Sequence, residues 1–138
     1  MIKRIDHIAI VVKNIDDTVN MYKRAYGFEG IKIKTYEEVK TKIAFLPLGE
    51  CEIHLLTPTE PGAGMIGQFL EEKGEGIHHI GLRVEDIERA MDRLEHSNSP
   101  CMNKKPVEVG DGSRVAFTDP KFTQNVLYEL LEKGEKKT

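Results

Sequence analysis

The segment IDHIAIVVKNID (5–16) and the segment IHHIGLRVEDIE (77–88) align without a gap. His7 falls on His79, Ile8 on Ile80, Val12 on Val84 and Ile15 on Ile87, at a constant offset of 79 − 7 = 72. Each copy begins as an alternating apolar strand and runs into a pattern of helical period. In the first, Ile15, Val19 and Tyr22 mark the helix, with Asn14 or Asp16 as its cap. In the second, Ile87, Ala90, Met91 and Leu94 mark it, behind Glu85 and Asp86.

The correspondence continues downstream. KIAFL (42–46) repeats as RVAFT (114–118), again at 114 − 42 = 72, and EIHLL (52–56) repeats as LYELL (127–131), at 129 − 54 = 75. Gly27, Gly30, Pro47 to Gly49, Gly110 to Gly112 and Asp119-Pro120 punctuate the strands. Each half therefore reads strand, helix, then three strands. The period is too long for a small solenoid repeat, and there are two copies only. The expected fold is α+β, with two pseudo-symmetric βαβββ modules forming a curved mixed sheet around a metal-binding cleft. Module 1 spans about 1–58, a linker 59–75 and module 2 about 76–132, all within one domain over 1–138. Met65, Ile66, Phe69 and Leu70 suggest a short helix inside the linker.

Composition narrows the function classes. With 138 residues the chain has room for a real core. Hydrophobic content of 39% and charged content of 31% fit a soluble globular protein. A net charge of −3 argues against a general nucleic-acid binder, and the short apolar runs argue against a membrane span. The N-terminus shows no signal-peptide pattern, and Cys51 and Cys101 form no CxxC, so a reducing cytoplasm is expected.

Strand side chains alternate faces. On that count Ile8, Ile10 and Val12 pack under the first helix, while His7, Ala9 and Val11 face away from it. Ile80, Leu82 and Val84 pack under the second helix, while His79, Gly81 and Arg83 face away. His54 lies opposite Ile53 and Leu55, and Glu129 lies opposite Tyr128 and Leu130. The repeat thus places His7 and His79 at one equivalent position and His54 and Glu129 at another. A single histidine on an apolar face is ordinarily a hydrogen-bonded core residue. Four metal-competent groups, paired by a repeat on the helix-free faces of strands, point instead to a divalent ion such as Co, Ni, Zn, Mn or Fe. His78, whose mate is Asp6, falls on the other face and reads as structural.

These residues resemble the vicinal-oxygen-chelate superfamily, which is built from paired βαβββ modules, and within it the methylmalonyl-CoA epimerases. The resemblance covers residues 4–131 and rests on IDHIAIVVKNID, KIAFLPLGECEIHLL, IGQFLEEKGEGIHHIGLRVEDIE and DPKFTQNVLYEL. It implies one divalent metal held by His7, His54, His79 and Glu129. His54 departs from the Gln or Glu more frequent at its position, and could instead serve as an acid/base group. The implied reaction is epimerisation of methylmalonyl-CoA, a 1,1-proton transfer at C2 through a metal-stabilised enolate. Glu129 would act as ligand and base, and Lys42 marks the position of the opposite group, with Glu37 and Glu38 just upstream. Arg83 is the candidate for a substrate carboxylate, because a guanidinium can grip one bidentately. An acyl-CoA substrate and a homodimer are implied, with no nucleic-acid or membrane partner. The alternatives are a glyoxalase I-like lactoylglutathione lyase or another enzyme of the superfamily, then an Fe(II) dioxygenase, or a metal-free protein that sequesters a small molecule.

Overall fold

The computed structural model describes residues 1–134. Its elements follow the expected order. The first half runs β1 (Ile2–Val11), α1 (Ile15–Tyr26), β2 (Lys32–Tyr36), a 3-10 turn (Glu37–Val39), β3 (Thr41–Leu48) and β4 (Cys51–Pro58). The linker carries α2 (Gly64–Lys73). The second half runs β5 (Gly76–Val84), α3 (Ile87–His96), β6 (Val107–Glu108), β7 (Arg114–Phe117), a 3-10 turn (Pro120–Phe122) and β8 (Tyr128–Glu132). The strands form one mixed eight-stranded sheet in the order β2-β3-β4-β1-β5-β8-β7-β6, as expected of paired βαβββ modules. By compactness the chain divides into His7–His78 and a second unit, Met1–Asp6 with the chain from His79 onward.

In the His7–His78 unit, β1 and β4 are parallel, with His7 opposite Glu52 and Ala9 opposite His54. β3 and β4 form an antiparallel hairpin with Phe45 opposite His54. Its turn places Gly49 at φ 62°, a conformation that costs an L side chain strain and a glycine almost nothing. Helix α1 starts where Asn14 Oδ1 accepts the amide of Asp17 at 3.0 Å, satisfying one of the orphan donors of the first turn. It ends at Gly27, φ 74°, whose N–H returns to the carbonyl of Lys23. Its apolar stripe closes a core of Val12, Ile15, Val19, Ala44, Leu46 and Leu55.

The second unit repeats this plan. β5 and β8 are parallel, and β7 and β8 antiparallel, with Phe117 opposite Glu129. Asp86, the mate of Asn14 in the repeat, caps α3 by accepting the amide of Arg89 at 3.1 Å. The core is Val84, Ile87, Ala90, Met91, Ala116 and Leu130. Val12, Ile15, Val19, Ala44 and Leu55 of the first core correspond there to Val84, Ile87, Met91, Ala116 and Leu130.

One expectation is corrected by α2. The face of β1 turned away from α1 is not free of helix. Ile66 of α2 packs on Ala9, Val11 and Leu56, with Ile43, Phe69 and Leu70 around them. Ala9 and Val11 are fully buried as a result. Strand alternation predicts which side chains share a face, but not what a linker helix 66 − 11 = 55 residues along the chain will lay on it. Gly67 permits this packing, because a Cβ there would meet the carbonyl carbon of Gly62 at 2.5 Å.

Candidate metal centre

The site residues come from two strand positions used twice. In the second unit, His79 projects from β5 and Glu129 from the adjacent β8. The Nε2 of His79 and Oε2 of Glu129 are 3.9 Å apart, with side chains 8% and 13% exposed. That is beyond hydrogen-bond reach, but two ligand bonds of about 2.0–2.2 Å to one ion can span it. Phe117 packs edge-on against the His79 ring, with centroids 5.6 Å apart.

In the His7–His78 unit, His7 projects from β1 and His54 from the adjacent β4. Their rings stack, with centroids 4.1 Å apart and planes inclined by 10°. Phe45 meets the His54 ring edge-on at 4.7 Å. Phe45 and Phe117 are themselves repeat mates, at 117 − 45 = 72, so each half backs an imidazole with a phenyl edge. The sequence reading passed over both phenylalanines, although KIAFL and RVAFT display them. His54 Nε2 donates to Oε1 of Glu52 at 3.1 Å. Glu52 was also missed; its signal was spacing, since residues i and i + 2 of a strand share a face.

His7 and His79 are buried and Glu129 is half-buried, each within its own unit. Imidazole and carboxylate donors with little exposure suit a divalent first-row ion.

The remaining candidates have other neighbours. Lys42 pairs with Thr57 in β4 and Thr35 in β2. Alternation along β3 puts it on the side of Ala44 and Leu46, which face α1, and not on the side of Phe45 and His54. Arg83 is engaged by Asp6, whose Oδ1 accepts from its Nε at 2.9 Å and Nη2 at 2.6 Å. His78 packs edge-on against Phe69 of α2, with centroids 5.0 Å apart. Burial, reinforced by the nearby Lys73 ammonium, holds its imidazole pKa below the ordinary value.

Comparison with known proteins places this arrangement. Residues 6–117 match the Glyoxalase/Bleomycin resistance protein/Dioxygenase superfamily. The chain belongs to that superfamily. An uncharacterised Bacillus subtilis protein, YqjC, is 32% identical over 133 residues, covering 96% of this chain and 94% of the relative. The ethylmalonyl-CoA/methylmalonyl-CoA epimerase of Cereibacter sphaeroides is 30% identical over 131 residues, covering 94% of this chain and 98% of that enzyme. Among solved structures, a methylmalonyl-CoA epimerase in complex with methylmalonyl-CoA and NH4+ superposes with a TM-score of 0.86 at 31% identity, covering 96% of each chain. The superfamily's paired modules thus account for the duplicated strand-helix-strand plan of this member, and no described helix is long and apolar enough to cross a membrane.

Proposed function

We propose that this member of the superfamily is a metal-dependent acyl-CoA epimerase that inverts C2 of methylmalonyl-CoA. The buried His79 beside the carboxylate of Glu129 carries the reading, with the buried His7 as its repeat mate in the other half, and the epimerase relatives support the substrate class. A divalent ion, when bound, supplies Lewis-acid stabilisation of negative charge at a thioester carbonyl oxygen. The two imidazoles are neutral donors, and Glu129 brings the only negative charge of the three.

Removing a weakly acidic C2 proton also needs a base within hydrogen-bond reach on one face of the carbon and a donor on the other. Glu129 is assigned the first role, because its half-buried carboxylate lies beside His79 with acceptor capacity beyond one ligand bond. Lys42, on the α1 side of β3, is not assigned the second. Glu37 and Glu38, exposed at the start of the 3-10 turn before β3, are the groups to test in its place. Arg83, held by Asp6, contributes as a structural ion pair unless substrate displaces Asp6. The proposal includes a homodimer in a reducing cytoplasm, with Cys51 and Cys101 outside any disulfide.

The test is solvent deuterium incorporation at C2 of methylmalonyl-CoA by metal-loaded protein. Exchange supports the epimerase. Metal-loaded protein that leaves C2 unexchanged, yet isomerises a glutathione hemithioacetal, would transfer the assignment to the glyoxalase I-like alternative.

A further inference from the structure

We propose that His54 stands outside the coordination sphere of the ion and that Glu52 is the positioning residue that keeps it there. The inference rests on the metal reading above and concerns how many side chains serve it. It follows from the His7–His54 stack. An ion bound by an imidazole lies in the plane of the ring, along the nitrogen lone pair. The planes of His7 and His54 are inclined by 10° with centroids 4.1 Å apart. Ring atoms in van der Waals contact stay about 3.5 Å apart, whereas a metal–nitrogen bond is about 2.0–2.1 Å. An ion in the plane of His7 is therefore too far from the plane of His54 for both rings to bind it. A tilt of this size does not close the gap.

Neighbours in the same unit hold His54 in that pose. Phe45 presses on its ring edge-on at 4.7 Å. Glu52, two residues back on the same face of β4, accepts from Nε2 at 3.1 Å. A carboxylate accepts only, so this contact puts the proton on Nε2 and turns that nitrogen from ligand into donor. The Glu52 side chain is 42% exposed and that of His54 12%, so the pair reaches from the surface to the stacked ring. The imidazole at this position then acts as a fixed wall against His7. An ion held by His7 would then take no ligand from His54.

Contact-shifted proton NMR of the Co(II)-loaded protein, with Co(II) titration of the apoprotein, tests this. Each coordinated imidazole that keeps its remote N–H gives one shifted exchangeable resonance. Two are expected, from His7 and His79. His54→Phe preserves the stack and is expected to keep both resonances and bind Co(II) within threefold of the parent. A third resonance that disappears in His54→Phe, together with a 100-fold weaker affinity, would overturn the proposal. Glu52→Ala frees His54 to turn, so a third resonance or a changed visible Co(II) spectrum is expected, and Glu52→Gln, whose amide oxygen still accepts, restores the parent spectrum. Spectra of Glu52→Ala identical to the parent would overturn the role of Glu52. Failure of the parent to bind Co(II) saturably would overturn the metal reading itself, a result distinct from a third resonance.

Discussion

In the second half of the chain the imidazole of His79 faces a carboxylate, Glu129, at 3.9 Å. In the first half the equivalent imidazole, His7, lies flat against a second imidazole, His54, at 4.1 Å. The strands beneath the two pairs are the same: parallel β1 and β4 in one case, parallel β5 and β8 in the other. A phenylalanine from the neighbouring antiparallel strand packs on each pair. The second side chain differs, and with it the ring that the phenylalanine meets: His54 in the first half, His79 in the second. A carboxylate beside an imidazole can offer two donors to one ion. A second aromatic ring at the same position gains more from stacking, because its flat apolar face is buried against the first.

The comparison is broken most severely at the shared histidine. His79→Ala is expected to weaken divalent-metal binding by more than about 100-fold, exceeding the loss usual for an outer partner of a ligand. His78→Ala is expected to leave metal binding intact and lower stability by about 1–2 kcal/mol through lost packing on Phe69. Calorimetric metal titration and chemical denaturation of both variants check this. The reverse pattern would show that the two adjacent histidines face opposite ways from those described.

The equivalence of the two cores is tested next. Leu55 and Leu130 occupy matching positions and are buried to 0% and 2% exposure. Leu55→Ala and Leu130→Ala should each cost about 2–5 kcal/mol of unfolding free energy. A variant below 1 kcal/mol in urea denaturation would mean that its half can collapse around the cavity, and that the two cores are not packed alike.

The helix caps sharpen the comparison on a smaller scale. Asn14→Ala and Asp86→Ala each remove one side-chain acceptor at a helix N-terminus, at a cost of about 1 kcal/mol. Asp86→Ala should cost slightly more, since its charge also interacts with the helix dipole by about 0.3–1 kcal/mol. Added salt, followed by thermal denaturation, should shrink the difference between the variants.

The smallest effect lies where the halves differ. Asp111, in the turn before β7, is held down to a pKa of about 2, chiefly by its hydrogen bond with Ser113 and further by Lys133. A carboxylate whose pKa is lower folded than unfolded stabilises the fold above the ordinary carboxylate pKa of about 3.9. That contribution is lost as pH falls through about 2. Asp111→Asn should therefore be less stable than the parent above pH 5, with the gap closing in denaturation curves taken between about pH 4 and 2. A gap independent of pH would assign the loss to geometry and not to charge.

The sequence reading was strongest where one residue type admits one physical use. The register of IDHIAIVVKNID on IHHIGLRVEDIE needed only matching apolar and histidine positions. Paired with the period of two in strands, it assigned His7 and His79 to corresponding faces and separated His79 from His78. It did not reveal that α2 covers Ala9 and Val11, since Ile66 lies far along the chain and its docking depends on the close approach of Gly67 to Gly62. It named Lys42 by its place beside AFLP, without the sheet register that sets Lys42 among α1-facing residues. It saw Arg83 as available, because the partner Asp6 stands 83 − 6 = 77 residues away.

What the sequence determined by itself is the duplicated plan and the residue types at its four matched positions. These are local properties, fixed by strand and helix periodicity and by the chemistry of imidazole and carboxylate. Tertiary structure decided which of those groups approach one another. The 3.9 Å between His79 and Glu129 depends on how their strands pair, and the stacking of His54 on His7 depends on Glu52 and Phe45 fixing its ring. Spacing along a chain places a side chain on a face, but its orientation there is set by neighbours from other strands, which the sequence does not order in space.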